Sequence, residues 1–171
     1  MIDETNRQLI LDLALNRLPV SDFMRKFPFG EKTPAEYVKL SLEEALESRD
    51  PIQVEYGMLL GFQLKLFNQA FAPLLKTMIL EDWHREHEDM ASVMQMLKDP
   101  STVDALYRTA LTRFPYLEYD QSHSLAVKCL WALKAINNRD ASEKLKLLAQ
   151  SEDKVVRETA ERLLVQDQTP G

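Results

Sequence analysis

One short segment carries most of the side chains that could do chemistry. Residues 81–89 read Glu-Asp-Trp-His-Arg-Glu-His-Glu-Asp and hold two of the chain's three histidines. On a helix, His84 and His87 would share a face, with Glu88 four residues after the first, and such groups can ligate zinc. The spacing matches neither His-Glu-x-x-His nor its inverted form, so further ligands would have to come from elsewhere.

The same segment has other interpretations. A solvated, charged helix junction is the structural one, and a Trp packed into a helical hairpin is compatible with it. Trp83 beside the charges also favours a protein contact, because Trp is enriched in binding hot spots. We expect a protein-binding surface, and no metal site, at Trp83, His84, His87, Glu88 and Asp89.

A second candidate surface is the loop Phe114-Pro-Tyr-Leu-Glu-Tyr-Asp120. Long loops project from a helical scaffold and often bind partners. We therefore add Tyr116, Tyr119 and Asp120 to the predicted protein-binding residues. The alternative is that these aromatic rings fill the hydrophobic layer between helices.

No catalytic or cofactor-binding constellation is visible. Cys129 lies among apolar residues of a predicted helix and is expected to be a small buried hydrophobe. With four glycines, the chain has no Walker loop or dinucleotide fingerprint. Lys128 and Arg157 are expected to pair with neighbouring acids or to line a groove. We predict no enzyme and no cofactor.

The charge balance restricts the partners. The net charge is −6 and no concentrated basic block is present, which disfavours nucleic acid and suits a basic protein partner. No apolar run approaches the roughly 20 residues of a membrane span. The acidic start, Met-Ile-Asp-Glu-Thr, is unlike a signal peptide, and a single cysteine excludes an internal disulfide. We expect a cytoplasmic protein.

A sequence signal for the start of a helix recurs along the chain. A cap residue followed by proline occurs at Thr33-Pro34, Asp50-Pro51 and Asp99-Pro100, with the second helix expected to reach about Asn68. These restarts predict short helical hairpins. The predicted organisation is a single domain: an N-terminal helical segment over 1–30, helical repeats over 31–166, and a disordered tail over 167–171.

A repeat is visible near the end of the chain. Val127-Lys128 is followed at the third position by Trp131, and then by Ala132-Leu133. Val156-Arg157, 29 residues on, is followed at the same interval by Ala160, and then by Leu163-Leu164. The segment that begins at Asp153 resembles the second-helix signature of HEAT repeats, and the one that begins at Asp50 does so more loosely. The acid would cap the helix, and the small residue would allow close helix approach.

The resemblance is to short HEAT repeats of the phycobilisome-lyase type and covers residues 34–166. It implies an all-α solenoid of antiparallel helix pairs, a HEAT-like superhelix. In bacteria, small proteins of this kind serve in complex assembly, and some resemble immunity proteins that neutralise a toxin. The expected function is therefore a non-enzymatic protein-protein interaction module. An immunity protein, a HEAT-like DNA glycosylase and a bilin lyase stay open as alternatives.

Overall fold

The computed structural model describes residues 2–118 and 123–165, and these are helical, without a β-strand among them. The predicted all-α class is confirmed. The helices are α1 Glu4–Ala14, α2 Val20–Lys26, α3 Pro34–Ser48, α4 Pro51–Gln63, α5 Ala72–Met78, α6 His87–Leu97, α7 Val103–Leu111, α8 Ser124–Ile136, α9 Arg139–Leu148 and α10 Lys154–Val165. Within the described ranges, no helix is long and apolar enough to cross a membrane. The predicted tail, 167–171, lies outside them.

The three cap-proline pairs all begin helical structure. The Thr33 hydroxyl accepts from the Glu36 amide at 3.3 Å, and the Glu36 carboxylate accepts from the Thr33 amide at 2.8 Å. The Thr33 amide and the Thr33 hydroxyl both donate to the Glu36 carboxylate, and these hydrogen bonds hold the pKa of Glu36 below its ordinary value. Asp50 accepts from the first amides of α4. Asp99 starts a 3-10 turn, Pro100–Thr102, that leads into α7.

The expectation that α4 reaches Asn68 is wrong, because the helix ends at Gln63. Lys65 takes a left-handed backbone with φ of 55°, and the Leu66 amide bonds back to the Gly61 carbonyl at 2.9 Å. This Schellman-type turn reverses the chain. The reversal lays the Phe67 ring on Gly61, where an added Cβ would come within 2.4 Å of the ring.

The described residues up to Phe71, with 83–86, form one compact unit. In it α4 packs against α3 and α1. Gly57 lets α4 approach α3 closely, since a Cβ there would lie 2.8 Å from Leu42 Cδ2. The same unit contains a cluster of aromatic rings that contact one another, formed by Phe23, Phe27, Phe29 and Tyr37. Desolvation of Tyr37 raises the pKa of its hydroxyl.

The second compact unit contains residues 72–82 and everything described from His87 onward. Helix α8 lies at its centre and packs against α6, α7, α9 and α10, while α9 packs against α7 and α10. From α7 to α10, each helix therefore contacts the next helix and the one after it. The fully buried residues include Met90, Met94, Leu106, Leu130 and Leu163.

Candidate functional site

The segment 81–89 does not form the continuous helix that the metal-site interpretation needs. Helix α6 begins at His87, and His84 lies in the non-helical stretch before it. His84 is 1% exposed and His87 is 0% exposed. The expectation that both imidazoles present a contact surface is therefore corrected, because both side chains are buried. Within the described ranges, no group of three or more His, Cys, Asp or Glu could hold a metal ion.

His87 is held on both ring nitrogens. Its Nε2 lies 2.7 Å from the Glu81 carbonyl oxygen, and its Nδ1 lies 2.8 Å from the Tyr116 hydroxyl. Since a carbonyl oxygen only accepts, Nε2 carries the proton, and a neutral ring then accepts from the tyrosine at Nδ1. The Phe114 ring lies 3.9 Å away, centroid to centroid. His87 thus fastens the loop after α7 to the start of α6, which is a structural role.

Other predicted contact residues have mixed surroundings. Glu88 is half-buried and forms an ion pair with Lys128 of α8, with 3.0 Å between Oε2 and Nζ. Asp89, Trp83 and Tyr116 are also half-buried. The Trp83 ring stands edge-on to His84, with centroids 5.0 Å apart.

Two of the predicted contact residues, Tyr119 and Asp120, lie outside the described part of the chain. Of the predicted aromatic contacts that the structure describes, Trp83 and Tyr116 keep some exposed surface.

Asp153 and Lys128 have the structural roles that the sequence predicted, and Arg157 has a different one. Asp153 Oδ1 accepts from the first amides of α10, at 2.9 Å and 3.2 Å. Lys128 pairs with an acid of a neighbouring helix, as expected. Arg157 instead donates to the carbonyl oxygens of Ser151 and Glu152, in the turn that precedes α10. A helix cap, an ion pair and hydrogen bonds to backbone carbonyl oxygens therefore account for the three side chains.

Cys129 is a buried thiol, as its apolar neighbours predict. It is 0% exposed. Desolvation, followed by the nearby charge of Glu88, raises the pKa of the thiol well above its ordinary value. The thiolate is the nucleophilic form, so this cysteine is unreactive near neutral pH.

A cleft that the sequence did not indicate opens in the second unit. Its volume is about 520 Å³, and it lies among the end of α7, the loop that follows, and the first turns of α8 and α10. Its apolar wall includes Leu111, Phe114, Leu117, Leu125 and Val156. The lining polar groups include Arg113, His123 and Asp153.

Asp153 contacts the two other polar side chains named in this cleft. Its Oδ2 accepts from Arg113 Nη2 at 2.8 Å and lies 2.8 Å from His123 Nδ1. The side chains of Asp153 and His123 are 17% and 20% exposed, while that of Arg113 is 76% exposed. Sequence reasoning found the capping role of Asp153 because capping is local. Its other two partners are 40 and 30 positions away, and no periodic signal connects them.

Comparison with protein-family models, curated proteins and solved structures finds no match to this chain.

Proposed function

We propose that this protein is a non-enzymatic protein-binding module, built on a short α-solenoid of the HEAT type. The observation that carries the proposal is the packing order of α7 to α10, in which each helix contacts the next and the next but one. Stacked helical hairpins have this contact order, because each pair buries its apolar face on its neighbours. Such stacks present extended surfaces that bind other proteins.

The side chains of α10 support the solenoid interpretation. In the segment that resembles a HEAT second helix, Asp153 caps the helix, and Val156, Ala160 and Leu163 are buried. The small Ala160 lies at a position where the resemblance expects close helix approach.

Exposed apolar side chains support a binding role. Leu111 of α7 is 50% exposed, Trp131 of α8 is 37% exposed and Leu147 of α9 is 50% exposed. Trp131 is the strongest anchor among them, because a tryptophan contributes a large contact area at low entropic cost. Trp83, in the other compact unit, keeps its predicted role as a separate contact.

The charge of the chain favours a basic partner. A net charge of −6 would attract and orient a positively charged protein. An immunity protein that masks a basic, nucleic-acid-cleaving toxin is the special case that this charge fits.

The test is capture of partners by the tagged full chain from its native cell, read by mass spectrometry. Trp131→Ala and Trp83→Ala are compared with Leu15→Ala, a control at a residue that directly follows α1 and is 55% exposed. We expect a stoichiometric basic protein that is lost with a tryptophan variant and retained with the control, all variants keeping the wild-type circular dichroism and melting temperature. Absence of a stoichiometric protein, with nucleic acid, pigment or metal bound instead, refutes the proposal.

A further inference from the structure

The cleft beside Asp153 has hydrogen-bond donors that a bound ligand can use. A carboxylate has about four acceptor positions, and those of Asp153 are all used, by two backbone amides, Arg113 and His123. A guanidinium carries five N–H donors, and Arg113 spends one of them on Asp153. Because the Arg113 side chain is 76% exposed, its remaining donors are open to solvent.

The rest of the cleft suits an apolar group. Phe114, Leu125 and Val156 are buried residues of the wall, and Leu117 is half-buried. A volume of about 520 Å³ is in the ordinary range for small-ligand sites. Apolar walls with a few convergent polar groups are the usual composition of such sites.

We propose that this cleft binds an organic monoanion, an apolar group that carries a carboxylate, with Arg113 as its charge partner. A planar carboxylate matches the fork of the guanidinium. One arginine suits a single negative charge, whereas a phosphate dianion would keep a second, uncompensated charge beside Glu118. The site does not depend on the protein-binding function, and it is measured separately.

The charges near the cleft decide how variants should behave. The charge of Asp153 is already offset by Arg113 and by the amides of α10. Glu118 also lines the cleft and is exposed. It is therefore the like charge that opposes a bound carboxylate. Removing the positive charge and removing this negative charge must change the affinity in opposite directions.

Two probes distinguish the sources of such a ligand. N-acetyl-leucine represents a peptide C-terminus and 4-methylpentanoate represents a free acid, and each is compared with its own amide. Binding to the full chain is followed by ¹H–¹⁵N NMR. We expect shifts at the cleft residues with a dissociation constant on the order of millimolar for at least one acid, as suits fragment-sized ligands, and roughly tenfold weaker binding of the amide. The acid that binds more tightly identifies the source.

Two variants complete the test. Arg113→Gln should weaken binding of the acid about fivefold and leave the amide unchanged, whereas Glu118→Gln should strengthen binding of the acid about twofold. Both positions are exposed, and unshifted amides elsewhere in the spectrum verify the fold. The proposal is overturned if neither acid shifts the cleft residues, if acid and amide bind alike, or if Arg113→Gln preserves the preference for the acid.

Discussion

Replacing Asp153 with alanine removes four interactions at once, and the structure indicates what each contributes. Loss of the cap at the two α10 amides costs about 1–2 kcal/mol. The ion pair with Arg113 adds only about 0.5 kcal/mol, because the arginine is 76% exposed and its charge is screened. The contact with His123 is worth roughly 0.5–1 kcal/mol. The sum predicts a loss of about 2–3.5 kcal/mol in the free energy of unfolding.

This loss is measurable by urea denaturation and by heating. For a chain of this length, the melting temperature should fall by about 5–10 °C. Because the chain forms two compact units, amide hydrogen exchange identifies where the destabilisation occurs. Faster exchange should be greatest in α10 and in the residues around His123, with α1 to α4 unchanged.

Asp153→Asn is the matched control. Asparagine caps a helix about as well as aspartate, so this variant should lose only the part that depends on the charge, about 1 kcal/mol. If the asparagine variant is as unstable as the alanine variant, capping is not the main contribution of Asp153. A loss below about 0.5 kcal/mol for the alanine variant would refute the network as a source of stability.

Three other predictions concern local packing and protonation. Tyr116→Phe removes the hydroxyl that bonds to His87 Nδ1 and leaves a buried nitrogen without that partner, so chemical denaturation should show a loss of about 1–3 kcal/mol. Gly61→Ala should lower the free energy of unfolding by about 1–2 kcal/mol, although alanine has the better helix propensity, because the new Cβ would lie 2.4 Å from Phe67 Cζ. Adding Phe67→Leu to the same chain should recover part of this stability. If the effects of the two substitutions were fully additive, the clash would be contradicted. Cys129 has a raised pKa in the folded state, so the folded chain keeps a proton that the unfolded chain loses above pH of about 8.5. Below that pH the free energy of unfolding should keep this contribution in full, and above it the free energy should fall by up to about 1.4 kcal/mol per pH unit relative to Cys129→Ala. Parallel pH profiles of the two proteins would contradict this burial effect.

Features set by neighbouring residues were predictable from the sequence. Helical structure begins where the sequence has a capping residue followed by proline, at Thr33, Asp50 and Asp99. This start is predictable because a cap bonds to amides only two or three positions away. The end of α4 was missed by about five residues, since the stop depends on a left-handed residue at Lys65 and on the packing of Phe67, not on a proline or a glycine that follows.

Features set by distant residues were not predictable. The charges around His84 and His87 indicated a solvated segment, yet both imidazoles are buried. A histidine can be buried when both its nitrogens are bonded, and the partners of His87 include Tyr116, 29 positions away. The cleft has the same origin, because Arg113 reaches Asp153 over 40 positions. Periodicity reports the face of a helix, but it does not report which loop packs against that face.

Asp153 connects the scaffold with the proposed binding site. Asp153 caps α10, and capping uses only Oδ1. Its second oxygen is therefore available to bind Arg113 and His123, which come from the segment that leads from α7 to α8. The cap thus places a guanidinium at an apolar cleft without a residue dedicated to that purpose. It follows that Asp153→Asn, which preserves the cap, should strengthen carboxylate binding, because Arg113 no longer offsets the charge of Asp153 and its guanidinium can pair with the ligand, whereas any destabilisation of α10 would weaken binding. The ratio of the affinities for acid and amide in that variant separates the two effects, because unfolding lowers both affinities equally.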